Sequence, residues 1–406
     1  LLKKDLNGRT FVLQCLCFTE RLSHLKEEEN MKKFALFLSA AMAMSLAGCG
    51  SSSSSTAAAT AAASDSAATA AAEGTASGEV TRIALVLPYI GDQSYFDTAY
   101  NGLSLLTDKY GSAVETNLIE MGTDAGGWDT AYRQAADSDY DIIISGNFEY
   151  EPYMLEVAKE YPDVKFLNFD YSDAAANSLD NVYAITYAAN EAGYAAGVVA
   201  ATVSTSGIVG CIGGMETDGI KQFLAGYMQG AYDVNPDIKV VSSFVGDFKD
   251  TAKAKEIASN MHSQGADVIY HAAGGAGNGL FEAAAEEDFW AIGVDSDQYM
   301  AFKDNQPDLA AHILTSSEKK CDEGILSAVT EMIDGTAAYG TQKTLGIKDG
   351  GIGLAENENY MANTTDEQRA AIQAQIDKVV SGEVTVNDQL VDNTSYDTWL
   401  AKTGLN

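Results

Sequence analysis

Basic residues are scarce in this 406-residue chain: 25 lysines and arginines stand against 58 aspartates and glutamates, a formal net charge of −33 at pH 7. Such a surface repels phosphate backbones, which excludes nucleic acid as a partner, and it keeps an extracellular protein soluble. It does not fix the charge of a ligand held in a closed pocket. Histidine is scarcer still. His24, His262, His271 and His312 form no metal or triad spacing, so a metal centre and a histidine-based nucleophile drop out and no cofactor is expected. Cys15, Cys17 and Cys49 lie near the start, and beyond residue 79 only Cys211 and Cys321 occur. Two isolated thiols read as buried side chains, not as a disulfide framework. The glycine-rich run "AAGGAGNG" (272–279) lacks the lysine of a phosphate-binding loop and the spacing of a dinucleotide fingerprint.

What is present begins with an unusual front end. The chain starts at Leu1, and residues 1–30 show no turn chemistry and no sustained period, which is expected of translated upstream sequence. Met31 opens "MKKFALFLSAAMAMSLAGC", with two lysines, an apolar run too short to span a membrane, and small residues before Cys49. Residues 31–48 therefore read as a signal peptide, with an uncleaved anchor helix over 34–48 as the alternative that the position of Cys49 disfavours. Leu46-Ala47-Gly48-Cys49 resembles a bacterial lipobox, making Cys49 the expected lipidation site. Residues 49–78 carry that cysteine and a Ser/Ala/Thr tract with little to bury, a flexible tether. Together these imply an extracytoplasmic domain, lipid-anchored to the bacterial cell membrane, with more than one acyl chain to hold it.

From residue 79 onward, apolar runs alternate with helix-periodic stretches. Strands are expected at 82–90, 114–121, 141–147, 164–170 and 182–188. A second series follows at 207–214, 239–246, 267–274, 290–297 and 310–317. Continuous apolar strands separated by helices argue for parallel sheets covered on both faces, and two series argue for two doubly wound lobes. Ligands of such sheets bind outside the carboxyl ends of the strands. That rule points at Pro88–Gln93, Ser145–Glu149, Gly213–Met215, Ala273–Gly275 and Asp295–Asp297.

Six segments then carry a resemblance: "GDQSYFDTAYNG" (91–102), "EVAKEYPDVKFLNFD" (156–170), "NEAGYAAGVVAA" (190–201), "GGMETDGIKQFLAGYMQGAYDVNPDIKV" (213–240), "GADVIYHAAGGAGNG" (265–279) and "AIGVDSDQ" (291–298). In this order they resemble the basic membrane lipoprotein (BMP/Med) family, whose best understood members are purine-nucleoside-binding lipoproteins of bacterial ABC transporters. The resemblance implies an α/β, type I periplasmic-binding-protein fold: two doubly wound parallel-sheet lobes joined by a three-crossing hinge. It places lobe one at 79–188 plus 317–340, lobe two at 189–316, and a return crossing with a C-terminal helix at 341–406. The implied partners are a nucleoside or related small molecule, an ABC permease with its ATPase, and the membrane through the lipid anchor.

The same resemblance implies site residues. Asp92, Ser94, Tyr95 and Phe96 follow the first strand, where the family pattern resembles Asp-Lys-Ser-Phe-Asn-Gln; Tyr95 stands at the base-stacking position, Gln93 replaces the lysine, and Phe96 replaces the asparagine. Phe96 reads equally as a stacking face or as a packed loop aromatic. Asn147 can donate to and accept from a base edge at once. Phe148 and Glu151 are further candidates there, with a solvated loop as the alternative for the glutamate. Phe223 and Tyr227 share one helix face; core packing is the first reading for both, with either of them, or Tyr187 near the hinge, as the alternative stacking ring on the ligand. Gly274 and Gly275 let backbone approach the ligand. Asp295 is expected to accept from two vicinal ribose hydroxyls, paired across the cleft with Lys319, for which Lys320 is a rival. Asp297 is expected to cap a turn or tie the hinge.

Three classes compete. A transport receptor for a nucleoside leads; a binding protein for a sugar or modified nucleoside, or one serving a membrane sensor, is the alternative. An enzyme is disfavoured, because Asp295 and Asp297 sit side by side and do not face each other across a bond.

Overall fold

The computed structural model describes residues 3–4, 10–11, 80–171 and 177–405. The signal peptide, Cys49 and the tether expected within residues 12–79 lie outside the described residues. Lys3–Lys4 (β1) and Thr10–Phe11 (β2) pair antiparallel and belong to a unit separate from 75–406.

The apolar run "TRIALVL" forms β3 (Thr81–Leu87), and its last five side chains are buried. It is flanked by β4 (Val114–Glu120) and β5 (Ile142–Ser145), with β6 (Lys165–Asn168) and β7 (Val182–Tyr187) beyond. A sixth strand, β13 (Gln342–Leu345), comes from far along the chain, so the sheet runs β13-β7-β6-β5-β3-β4 and every pairing is parallel. The second sheet runs β14-β12-β11-β10-β8-β9, from β8 (Ile208–Gly213), β9 (Lys239–Phe244), β10 (Val268–Ala272), β11 (Trp290–Asp295), β12 (Ile313–Lys319) and β14 (Ile352–Leu354). Only β14 is antiparallel among them. Parallel strands need crossover helices, and the sequence supplies one in each interval where apolar periodicity changes from a run to a 3.6-residue stripe.

The chain passes between the sheets three times: after β7, after β12, and between β13 and β14. After β12, helix α10 (Cys321–Ile333) returns to the first sheet and packs Ile325 against Gly102 of α1 (Tyr95–Tyr110). This is the two-lobed, three-crossing architecture that the resemblance implies. The structure also adds elements to the expectation, among them short helices at Gln298–Phe302, Pro307–Ala310 and Glu358–Asn363. β13 and β14 are short edge strands, and α13 (Ser395–Thr403) follows α12 (Asp366–Ser381), which the sequence presents as the last helix.

The second lobe is built around an unusually close helix pair. α4 (Ala189–Val203) and α5 (Asp218–Val234) cross where Gly193 and Gly197 of one meet Gly226 and Gly230 of the other. A Cβ on any of the four would lie 1.9–2.2 Å from a backbone carbonyl oxygen of the opposite helix. Spacing of four residues puts each pair of glycines on one face, so the two backbones touch along a full turn.

Candidate functional site

Both sheets direct their strand carboxyl ends at a cavity of about 480 Å³. The first lobe contributes Pro88, Tyr89, Asp92, Tyr95 and Phe96 after β3, Asn147 and Phe148 after β5, Asp170 after β6, and Tyr187 at the end of β7. The second contributes Phe223 from α5, Phe248 after β9, Gly274 and Gly275 after β10, Asp295 of β11 and Lys319 of β12.

The first loop is braced by its own acids. Asp92 accepts from the backbone N–H groups of Ser94, Phe96 and Asp97 at 3.0–3.1 Å, and Asp97 accepts from Gly91 and Gln93. Burial pushes the Asp92 pKa up, against those three N–H donors. Its carboxylate thus shapes the start of α1 as well as facing the cavity. Tyr95 is clamped, its hydroxyl donating to the Gly146 carbonyl at 3.1 Å and its ring stacked on Phe169 at 5.7 Å. Phe96 lines the cavity and leans edge-on against Tyr89 at 4.8 Å. Phe148 and Phe248 approach each other from opposite lobes, ring centroids 6.5 Å apart.

At the polar end, Asp295 is 7 % exposed and adopts φ 67°. Burial pushes its pKa up to about 6, although the Lys319 ammonium and the Ser94 hydroxyl, which donates to Oδ2 at 2.7 Å, both favour the anion. Lys319 is equally buried and lies 4.8 Å from the Tyr95 ring centroid. Its ion pair differs from the expected one. Nζ is 2.6 Å from Asp170 Oδ2, and Asp170, not Asp295, is the partner across the cleft. The reason is register: Asp295 pairs with Glu318 on the neighbouring strand of the same sheet, so Lys319 and Asp295 share a lobe. Burial opposes the Lys319 charge, but Asp170 and the other nearby anions outweigh it and raise the pKa. The rival Lys320 instead sits 3.5 Å from Glu318, outside the cavity lining.

Of the expected contacts, Asp92, Tyr95, Phe96, Asn147, Phe148, Tyr187, Gly274, Gly275, Asp295 and Lys319 line this cavity, and Ser94 stands just behind it on Asp295. Two do not reach it. Glu151 is 2 % exposed and accepts from the Asn168 and Asn177 side-chain amides at 3.0 Å, because as the first residue of α3 (Glu151–Glu160) it turns beneath the strand ends. Tyr227 is fully buried and stacks on Tyr270 at 5.3 Å within the second lobe; Phe223, one turn earlier, reaches the cavity instead. Asp297 accepts from Asn357 Nδ2 at 2.8 Å at the start of α8 (Gln298–Phe302), tying the strand end to a later segment.

Asp170, Phe248 and Trp128 were not among the expected contacts. Asp170 ends the run "VKFLNFD", and Phe248 sits in "VGDFKD" just past β9; the strand-end rule, applied to every strand, reaches both. Backbone strain gathers here as well. Among the described residues, five non-glycine residues have positive φ, and three of them, Gln93, Asn147 and Asp295, stand at the cleft. Strain of this kind persists where surrounding structure enforces it, as it does at binding clamps.

Chemically, the site joins rings from both lobes to an Asp–Lys–Asp cluster in which Asp295 and Lys319 are buried and Asp170 is half-buried. Such a lining offers apolar faces at one end and charged hydrogen-bonding groups at the other. No group of acids, cysteines and histidines able to hold a metal occurs among the described residues.

Comparison with known proteins gives a consistent result. Residues 80–389 match the family described as ABC transporter substrate-binding protein, PnrA-like. The chain is 31 % identical over 315 residues to the ABC transporter nucleoside-binding protein BmpA of Lactococcus lactis subsp. cremoris, covering 73 % of this chain and 86 % of that one. It is 28 % identical over 321 residues to basic membrane protein D of Borreliella burgdorferi, with 78 % and 91 % covered. In fold it is similar to an ABC transporter solute-binding protein from Aeropyrum pernix K1, at a TM-score of 0.66 and 23 % identity, over 80 % of this chain and 98 % of that one. With a two-lobed fold, a ligand-sized cleft and a family match spanning both lobes, the chain belongs to the PnrA-like family of ABC transporter substrate-binding proteins.

Proposed function

We propose that the cleft captures a nucleoside, with a purine base preferred, and that the protein delivers it to an ABC permease driven by its ATPase while anchored through a lipid on Cys49. The observation that carries this reading is the pairing of a buried, hydrogen-bonded Asp295 beside Lys319 with aromatic rings supplied by both lobes of one cavity. An ionised carboxylate accepts from two vicinal hydroxyls, and the rings offer faces to a flat base. The relative from Lactococcus lactis is named for nucleoside binding, which supports the same reading.

Thermal-shift measurements on the purified protein test it. Inosine, guanosine or adenosine at 100 times its dissociation constant is expected to add about 2.7 kcal/mol, a rise of roughly 4 °C in melting temperature. Free ribose and free bases are expected to do much less. Stabilisation by pentoses and by no nucleoside overturns the role given to the rings.

The pH dependence follows from Asp295, whose pKa stands at about 6 against an ordinary 3.8. Only the anion accepts from both hydroxyls, so affinity is expected to be flat above pH 7 and to fall through pH 6, approaching tenfold per unit below pH 5. Unliganded stability runs the opposite way for this group. A carboxyl whose folded pKa is raised binds its proton more tightly in the folded state, so its contribution is greatest below about pH 4 and is lost as pH rises through 6. Asp295→Asn is expected to remove both trends, and calorimetric titration from pH 5 to 8 on the two proteins reads the difference. Parallel curves for both proteins assign the pH dependence to another group.

A further inference from the structure

Gln93 does not line the ligand cavity, and the resemblance noted above makes its position a departure from pattern. The structure gives it a different setting. It lies in the first-lobe loop before α1 with φ 56°, and three side chains of the second lobe converge on it. Ser296 Oγ and Gln298 Nε2 both donate to the Gln93 carbonyl oxygen at 3.2 Å, and Asn278 Nδ2 donates to Gln93 Oε1 at 3.3 Å. None of Gln93, Ser296, Gln298 and Asn278 lines the ligand cavity.

The grip is pre-formed on the second-lobe side. Gln298 is fully buried, and its Oε1 accepts from the Val294 backbone N–H and from His271 Nε2, each at 2.9 Å. A backbone N–H can only donate, so the orientation of the Gln298 amide is decided and Nε2 must face Gln93. Burial lowers the His271 pKa to about 4, so near neutral pH the ring is uncharged, with Nε2–H as donor and Nδ1 accepting from the Ala273 N–H. Gly293 makes room: a Cβ there would meet Gln298 Oε1 at 2.6 Å and Ser316 Oγ at 2.5 Å. The Gln298 N–H is itself anchored on Ser316 Oγ at 3.1 Å.

We propose that Gln93 is the positioning residue of the closed cleft, a latch gripped by Ser296, Gln298 and Asn278 that sets how long the lobes stay shut without touching what they enclose. These bonds join opposite lobes, so they exist only when the cleft is closed and are lost whole on opening. Their free energy therefore enters the opening step and slows release. Because they touch no ligand atom, they act equally on every ligand the cleft accepts. The inference rests on the reading of the cleft as a closing ligand trap given above.

The test uses the full chain, wild type and Ser296→Ala/Asn278→Ala, which removes two of the three donors and leaves the buried Gln298 in place. Release of inosine is followed by stopped-flow tryptophan fluorescence, since Trp128 lines the cavity. The double variant is expected to release inosine about tenfold faster, with association within about twofold and the inosine-to-guanosine affinity ratio unchanged. Unchanged release overturns the latch, and an altered affinity ratio overturns it too, because the side chains would then be sensing the ligand. Small-angle scattering of both unliganded proteins reads closure apart from any ligand. The variant is expected to have the larger radius of gyration. If inosine binds neither protein, the nucleoside reading fails by itself, and identical scattering curves then overturn the latch.

Discussion

Asp295→Ala is expected to weaken purine-nucleoside binding at least 100-fold while leaving the unliganded melting temperature within about 2 °C of wild type. A hydrogen bond to a charged group contributes about 1.5–3 kcal/mol, and two ribose hydroxyls on one carboxylate give a loss of roughly 3–4 kcal/mol after partial compensation by water. Stability is spared for a reason visible in the ion pairing. Lys319 keeps Asp170 at 2.6 Å when Asp295 is removed, so no buried ammonium is orphaned. The Ser94 hydroxyl loses an acceptor, a cost of about 1 kcal/mol, and the desolvation of one buried carboxylate is relieved in return. Asp295→Asn keeps the shape and one acceptor and is expected to fall between the two, losing about tenfold. Isothermal titration with inosine and a melting scan on the same samples separate these effects. Equal affinity for wild type and Asp295→Ala removes Asp295 from ribose recognition.

The other large effect is structural. Gly197→Ala places a methyl 2.0 Å from the Tyr227 carbonyl oxygen and 2.9 Å from the Ala231 nitrogen, both backbone atoms of α5. No rotamer change relieves a clash with backbone, so α4 and α5 must separate, loosening the core of the second lobe along their shared turn. The expected cost is about 3–5 kcal/mol, set against roughly 1 kcal/mol gained from the better helix propensity of alanine. A fall in melting temperature on the order of 10 °C follows. Gly219→Ala, on the same helix α5 with nothing within 4 Å of its Cβ, is the control and is expected to be neutral or slightly stabilising. If the two variants melt together, glycine contact is not what holds these helices.

Much of the molecule was legible in its pattern. The run "RIALVL" lies within β3, and the helix expected around Phe223 and Tyr227 is α5, because burial on both faces of a sheet or along one face of a helix is written into residue order. The strand-end rule alone points to cavity residues after β3, β5 and β10 and at the end of β11. Two short strands, a late helix and the short helices at Gln298–Phe302, Pro307–Ala310 and Glu358–Asn363 escaped. "QKTL" in β13 has one buried residue, and nothing in so polar a segment declares a strand until β7 offers it an edge.

The choice between neighbours escaped as well. Phe223 and Tyr227 occupy the same helix face, and only the depth of α5 in its lobe decides that the first meets the cavity and the second meets Tyr270. Glu151 has the charge of a ligand contact, but its place at the start of α3 points it to Asn168 and Asn177.

By itself, then, the sequence determined the alternation of strands and helices, the two lobes, and the loops that could meet a ligand, since these follow from local periodicity and burial. Tertiary structure alone decided who pairs with whom across the cleft. Lys319 joins Asp170 from 149 residues away, and Gln93 is held by side chains 185 to 205 residues distant. No local pattern encodes such pairs, because their distances are set by how two separately built sheets come together.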